Sequence, residues 1–167
     1  MWTKEQINNH LIACKLLDKI KDNVFNFIRE NKTTDEKQVQ DFIIKQYKKY
    51  NLVSSKDGPP IVAFNQSSAT PHYFVKKPRK LKQNTLILID IWARLKKKNS
   101  PFSDITWIAY YGKIPKQIQK TFNIILLSRD SCLNFIKKQL KKKQIPQGIE
   151  ADFVSKNIIM KAGFERN

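Results

Sequence analysis

Two aspartates, Asp90 and Asp104, stand inside strongly apolar segments, and their positions suggest a site for a cation. They lie in the segments 86–94 and 102–108. An ionised carboxylate in so apolar a strand is costly unless a cation or hydrogen bonds compensate its charge. Hard divalent cations prefer carboxylate oxygens, and two carboxylates can bridge a pair of metal ions. The pair predicts half of a metal site. The simpler alternative is that the two aspartates merely end strands, or form surface ion pairs with Arg94 or a lysine.

One of the two histidines, His72, could add hydrogen-bonding chemistry to this site. It lies between the polar loop 65–70 and the apolar residues 73–75. A neutral imidazole there could donate a hydrogen bond to a reacting carbonyl or to an oxyanion, although a lone histidine is more often a structural hydrogen-bonding group. No histidine follows Asp104, so the sequence offers no later imidazole to complete a metal site.

The elements that must position these residues follow from the spacing of apolar side chains. Helical spacing predicts four helices, two before and two after the aspartate segments: 3–30, 34–50, 115–142 and 150–162. Extended segments are predicted between them, at 61–64, 71–75, 85–94 and 102–111. The last two are expected to be antiparallel neighbours joined by a long loop. This order predicts an α+β fold, with helices packed on a curved antiparallel sheet, in a single domain over 1–167.

The charge of the chain suggests a second class of function. Lys and Arg number 32 against 14 Asp and Glu, which gives a net charge of +18, and such an excess is typical of proteins that bind nucleic acid. The lysines are scattered, with short runs only at 96–98 and 141–143. A solvated lysine-rich surface is therefore the simpler interpretation. No apolar stretch reaches the roughly 20 residues of a membrane span, and we expect a cytoplasmic protein that contacts no membrane.

Three further residues are expected to have structural roles. Cys14 and Cys132 stand far apart within helical patterns, with no second cysteine near either. A structural zinc site needs more ligands, so buried reduced thiols are the preferred interpretation. His10 lies beside asparagines on the first predicted helix and is expected at the surface.

Four ordered motifs resemble the pita-bread metallopeptidases, a family that includes Xaa-Pro aminopeptidase, prolidase, methionine aminopeptidase and creatinase. The motifs are the segments 59–65, 69–73, 88–94 and 103–107. The resemblance spans most of residues 10–164 and is closest to the Xaa-Pro aminopeptidase and prolidase branch. It implies the N-terminal half of a pita-bread catalytic domain.

This resemblance also implies roles for the candidate residues. Asp90 matches the first carboxylate ligand and Asp104 the bridging ligand of a site for two divalent ions, Mn, Co, Zn or Fe. His72 matches the catalytic histidine that contacts the substrate or the intermediate. In the family, a water or hydroxide held by the two ions attacks the scissile carbonyl. The implied partners are a peptide with proline at its second position and a second copy of the chain in a homodimer.

Three departures from the family pattern limit what this chain is expected to do alone. Trp92 stands where common members have glycine, and thirteen residues separate the two aspartates. The family's metal histidine and two glutamates would come later, and Glu165 stands too early to be one of them. We therefore expect the chain to be catalytically silent, and either poorly stable or prone to self-association. The alternatives are a non-catalytic pita-bread-like module that binds RNA or another acidic partner, and a creatinase-like enzyme for a small C–N substrate.

Overall fold

The structure is a computed structural model that describes residues 1–56 and 58–164. These residues form two compact units, one from Met1 to Lys113 and one that begins at Ile114. The elements in chain order are α1 (Lys4–Glu30), α2 (Glu36–Lys49), β1 (Leu52–Val53), β2 (Ile61–Phe64), a 3-10 helix (Asn65–Ala69), β3 (Thr85–Leu95), β4 (Ser103–Tyr111), α3 (Lys116–Lys141) and α4 (Gly148–Lys161). Glu165 lies outside the described residues, and the single domain over 1–167 stays a prediction.

The predicted α+β class is confirmed, with four helices and a four-stranded antiparallel sheet in the described residues. β3 is the central strand: β2 pairs with its residues 87–90 and β4 with its residues 85–93. β1, which was not predicted, pairs with the last two residues of β3. The extended segment predicted over 71–75 is wrong, because residues 71 and 72 form a turn and residues 73–75 belong to no strand.

The second helix, α2, begins at Glu36, two residues after its predicted start. Asp35 is the N-cap, and Thr34, the first residue of the predicted helix, lies outside it: the Asp35 carboxylate accepts a hydrogen bond from the backbone N–H of Gln38 at 2.9 Å. The Gln38 side chain accepts one from the Asp35 N–H in return, at 3.2 Å. The Thr34 carbonyl instead accepts from the Leu81 N–H at 2.8 Å. This contact ties the start of α2 to the segment that leads into β3.

The core of the first unit lies on one face of the sheet. Alternate residues of β3 are buried, and α1 and α2 cover them: Ile87, Ile89, Ile91, Ala93 and Leu95. Full burial of each large aliphatic side chain stabilises the fold by about 1.5–3 kcal/mol. The intervening residues of β3, which include Asp90, are only half-buried. The helices therefore fix the strand through one face and leave the other accessible.

The second unit is a pair of packed helices, α3 and α4. The Ser128 hydroxyl donates to the Ser155 carbonyl oxygen at 3.0 Å. α4 ends just before Gly163, which adopts a positive φ of 88°. α3 begins one residue after its predicted start at 115, because the backbone of Pro115 is extended at the N-cap position. None of the described helices is long and apolar enough to cross a bilayer.

Candidate metal centre

The register of β3 and β4 brings the two aspartates to the same face of the sheet. Asp90 lies opposite Thr106, and Asp104 lies opposite Trp92. Side chains two residues apart on a strand share a face, and residues paired across antiparallel strands do as well. The two carboxylates are therefore diagonal neighbours on the half-buried face of the sheet.

Both carboxylates line a single cleft of about 630 Å³, and His72 lines it with them. The structure thus brings together all three candidate site residues of the sequence. The other lining residues come from the loops and from the strands: Ser55, Gly58, Pro59, Ile61, Tyr73, Phe74, Trp92 and Phe102. The cleft combines an acidic floor with aromatic walls, which suits a small ligand that carries both polar and apolar groups.

The carboxylates make no ion pair with any lysine or arginine of the described residues. Arg94 donates instead to the carbonyl oxygens of Leu95 and Lys97, at 3.3 and 2.9 Å. The ion pair with Arg94 that was the simpler alternative is therefore not formed. Burial, and then the negative charge of Asp90, raise the pKa of Asp104. A bound cation would relieve both effects, since it favours the ionised form.

Thr106 is a site residue that the sequence did not indicate. Its hydroxyl donates to Oδ1 of Asp90 at 2.7 Å and so fixes the orientation of that carboxylate. Such bonds to a metal-binding carboxylate set its direction and basicity. The available signal was the strand pairing, because Thr106 is the residue that faces Asp90 in the antiparallel register.

His72 lies in the turn that follows the 3-10 helix, with a positive φ of 52°. Its side chain is exposed and lines the cleft. Within the described residues the ring forms no hydrogen bond that would give it a structural role. The ring is therefore available to a ligand in the cleft.

Glu36 positions the segment after His72, and sequence reasoning missed it. The residue is fully buried in the first turn of α2. Its Oε1 accepts from the Phe64 N–H at 2.8 Å, while its Oε2 accepts from the Tyr73 hydroxyl at 3.0 Å and the Arg79 N–H at 2.9 Å. These bonds compensate the cost of a buried carboxylate. They also join α2, β2 and the loop that carries His72.

The side chains at the site supply part of a metal-ligand set. Asp90 and Asp104 supply the oxygen ligands that hard divalent ions prefer. In residues 1–56 and 58–164 no group of three or more His, Cys, Asp and Glu side chains could hold a metal ion. The two carboxylates would thus hold a cation only weakly by themselves, and tight binding would need a larger ligand set.

Comparison with known proteins identifies the family. The model of metallopeptidase family M24 matches residues 8–166. The chain belongs to this family. An uncharacterized peptidase of Staphylococcus epidermidis is 28% identical to this M24 chain over 162 residues, which are 97% of the chain and 42% of the relative. An uncharacterized peptidase of Staphylococcus aureus is 26% identical with the same coverage.

Two solved structures have the same fold as this chain. The X-Pro aminopeptidase of Thermotoga maritima superposes with a TM-score of 0.80 and 18% identity, over 98% of this chain and 43% of its own. The prolidase of Pyrococcus horikoshii gives 0.76 and 21%, over 97% and 43%. The M24 chain therefore has the predicted fold, half of a pita bread, and spans about two fifths of the length of its relatives.

Proposed function

We propose that this M24 chain supplies the carboxylate half of a peptidase site that cleaves the bond before a proline at the second position of a peptide. The observation that carries the proposal is the common cleft of Asp90, Asp104 and His72. The structural neighbours named as an X-Pro aminopeptidase and a prolidase support the substrate class. Membership of a metallopeptidase family supports dependence on divalent ions.

Each residue has a part in this proposal. Asp90 and Asp104 would hold the divalent ions, Mn, Co, Zn or Fe, which when bound polarise a carbonyl and lower the pKa of water. Thr106 keeps the Asp90 carboxylate in one orientation. The His72 imidazole would donate a hydrogen bond to the peptide carbonyl oxygen and stabilise the charge that develops there. Trp92 and Phe74 provide apolar surface on which a proline ring can pack.

Metal binding tests the carboxylate half directly. We expect isothermal titration of the full chain with Mn²⁺ to show weak binding that Asp90→Asn and Asp104→Asn each abolish. Asp41→Asn is the matched control, because Asp41 pairs with Lys37 on the surface of α2, outside the cleft. Binding that survives both cleft substitutions would contradict the proposal.

The incomplete ligand set predicts that the chain alone does not turn over substrate. Two carboxylates give too few ligands to hold two ions in a defined geometry. We expect no release of the N-terminal residue from an Xaa-Pro dipeptide when purified chain is supplied with Mn²⁺ or Co²⁺. Measurable cleavage would overturn this part of the proposal. A parallel assay with a small C–N substrate tests the creatinase-like alternative.

We also propose that the protein assembles as a homodimer and is located in the cytoplasm.

The alternative function, binding of RNA, stays a prediction. Binding through lysines and phosphates would weaken steeply as salt is added. Filter binding of single-stranded RNA at low and high salt therefore separates the two functions. If the peptidase proposal is right, we expect RNA binding to show no steep dependence on salt and no effect of Asp90→Asn.

A further inference from the structure

A cysteine, a histidine and a serine meet outside the cleft, where α1 lies against the start of β4. Cys14 Sγ lies 3.4 Å from Nε2 of His10, one helical turn earlier on α1. The Ser103 hydroxyl donates to the same sulfur at 3.1 Å. His10, which was expected at the surface, is partly buried here. Local spacing does not predict this cluster, because Ser103 is 89 residues from Cys14 in the chain.

The partner of the other ring nitrogen determines what His10 can do. Nδ1 of His10 lies 3.0 Å from the backbone carbonyl oxygen of Phe102. A carbonyl oxygen only accepts, so the neutral ring carries its proton on Nδ1 and presents the lone pair of Nε2 to the thiol. A nucleophile within reach of a base that a third group orients is the arrangement that activates thiols in proteins.

Ser103 and the partial exposure of the thiol complete this arrangement. The Ser103 side chain is buried, and its O–H would stabilise a thiolate because hydrogen bonds to charged acceptors are stronger than those to neutral ones. Cys14 itself is only partly buried, so a small reagent can reach its sulfur. Cys132 has the same intermediate exposure but forms no hydrogen bond through its sulfur in the described residues.

We propose that Cys14 is a reactive thiol, activated by His10, that small electrophiles and low-molecular-weight disulfides modify. With a disulfide, the Cys14 sulfur attacks one sulfur of the reagent and the S–S bond of the reagent breaks. The thiol proton passes to Nε2 of His10 and then to the departing thiolate. Cys14 is thereby oxidised to a mixed disulfide, and half of the reagent is reduced to a free thiol.

Competitive alkylation of the full chain tests the proposal, with Cys132 as the internal standard. At a limiting concentration of iodoacetamide, the Cys14 sulfur forms a bond to carbon, iodide leaves, and the thiol proton passes to Nε2 of His10 and then to water. We expect mass spectrometry to show Cys14 labelled about ten times faster than Cys132, since a positioned base is worth at least that factor. In guanidinium the two rates should converge. Equal rates in the folded chain would overturn the proposal.

Variants separate activation by His10 from simple exposure. His10→Gln should lower the rate at Cys14 to that of Cys132, and Ser103→Ala should lower it less. Asn8→Gln, at an exposed position of the same helix, is the matched control and should leave the rate unchanged. Circular dichroism confirms that each variant is folded. An unchanged rate in a folded His10→Gln variant would also overturn the proposal.

Modification at this position has a consequence that rests on the proposed function. Ser103 directly precedes Asp104, and His10 holds the carbonyl of Phe102. A group attached to Cys14 displaces these contacts, so treatment with oxidised glutathione should weaken Mn²⁺ binding severalfold until dithiothreitol restores it. Selective labelling of Cys14 with unchanged Mn²⁺ affinity would refute this consequence but not the proposal that Cys14 is a reactive thiol. Absence of Mn²⁺ binding in the unmodified chain would refute the proposed function instead.

Discussion

The two faces of the β3–β4 sheet have opposite surroundings. On one face, Ile87, Ile89 and Ile91 are buried under α1 and α2. On the other, Asp90 and Trp92 are half-buried and line the cleft. A strand that alternates in this way anchors itself through one face, so the other can carry carboxylates whose burial is costly. Residues that stabilise the fold and residues that line the candidate site therefore alternate along the same strand.

Truncation of a buried residue on the anchored face should have the largest effect. Ile89→Ala removes a fully buried side chain, so we expect the free energy of unfolding to fall by about 2–5 kcal/mol. Leu88→Ala, one residue earlier on the half-buried face, is the matched control and should cost clearly less. Urea denaturation followed by circular dichroism measures both. Equal losses would mean that the two faces are equally packed.

Loss of the buried Glu36 carboxylate should disturb the loop that carries His72 and lines the cleft. Glu36→Gln replaces one accepting oxygen by an NH₂ group that cannot accept, which leaves at least one buried donor without a partner. We expect a loss of about 1–3 kcal/mol and a shift of the His72 ring signals in NMR spectra. Glu30→Gln, at an exposed position at the end of α1, should change neither. An unshifted His72 signal would show that Glu36 does not position its loop.

Local patterns predicted the parts of this molecule that depend on neighbours in the chain. The strands of Asp90 and Asp104 and the four helices follow from apolar spacing, and their antiparallel pairing then places the two carboxylates on one face. Glu36 could not be found in this way, because its partner Phe64 is 28 residues distant. The same holds for His10, whose partner Phe102 is 92 residues distant. Contacts of this kind exist only after the chain has folded.

Removal of the hydroxyl beside Asp90 should affect the cleft without affecting the core. Thr106→Val keeps the shape of the side chain but deletes the bond of 2.7 Å to Oδ1 of Asp90. We expect Mn²⁺ affinity to fall about tenfold, as is typical when a partner of a metal ligand is lost. The free energy of unfolding should change by less than about 1 kcal/mol. Isothermal titration measures the first, and Thr33→Val, at an exposed position, is the control.

The smallest effect that we predict is a gain of stability from the loss of a cleft carboxylate. Burial, followed by the charge of Asp90, raises the pKa of Asp104 above its ordinary value of 3.8. The folded chain therefore binds the proton of Asp104 more tightly than the unfolded chain does. As pH rises from 3.8 through the raised pKa, the unfolded state releases this proton first, so the free energy of unfolding falls. Above the raised pKa the whole penalty is present.

Asp104→Asn removes that penalty and leaves the anchored face untouched. The variant should be slightly more stable than the parent at neutral pH, and the difference should vanish in acid where both states of the parent are protonated. Mn²⁺ should reverse the order, because only the parent gains binding energy from the ion. Thermal unfolding at neutral and acidic pH, with and without Mn²⁺, measures all four cases. A variant less stable than the parent at neutral pH without metal would show that Asp104 stabilises the fold, and the two faces would then not be separate in their roles.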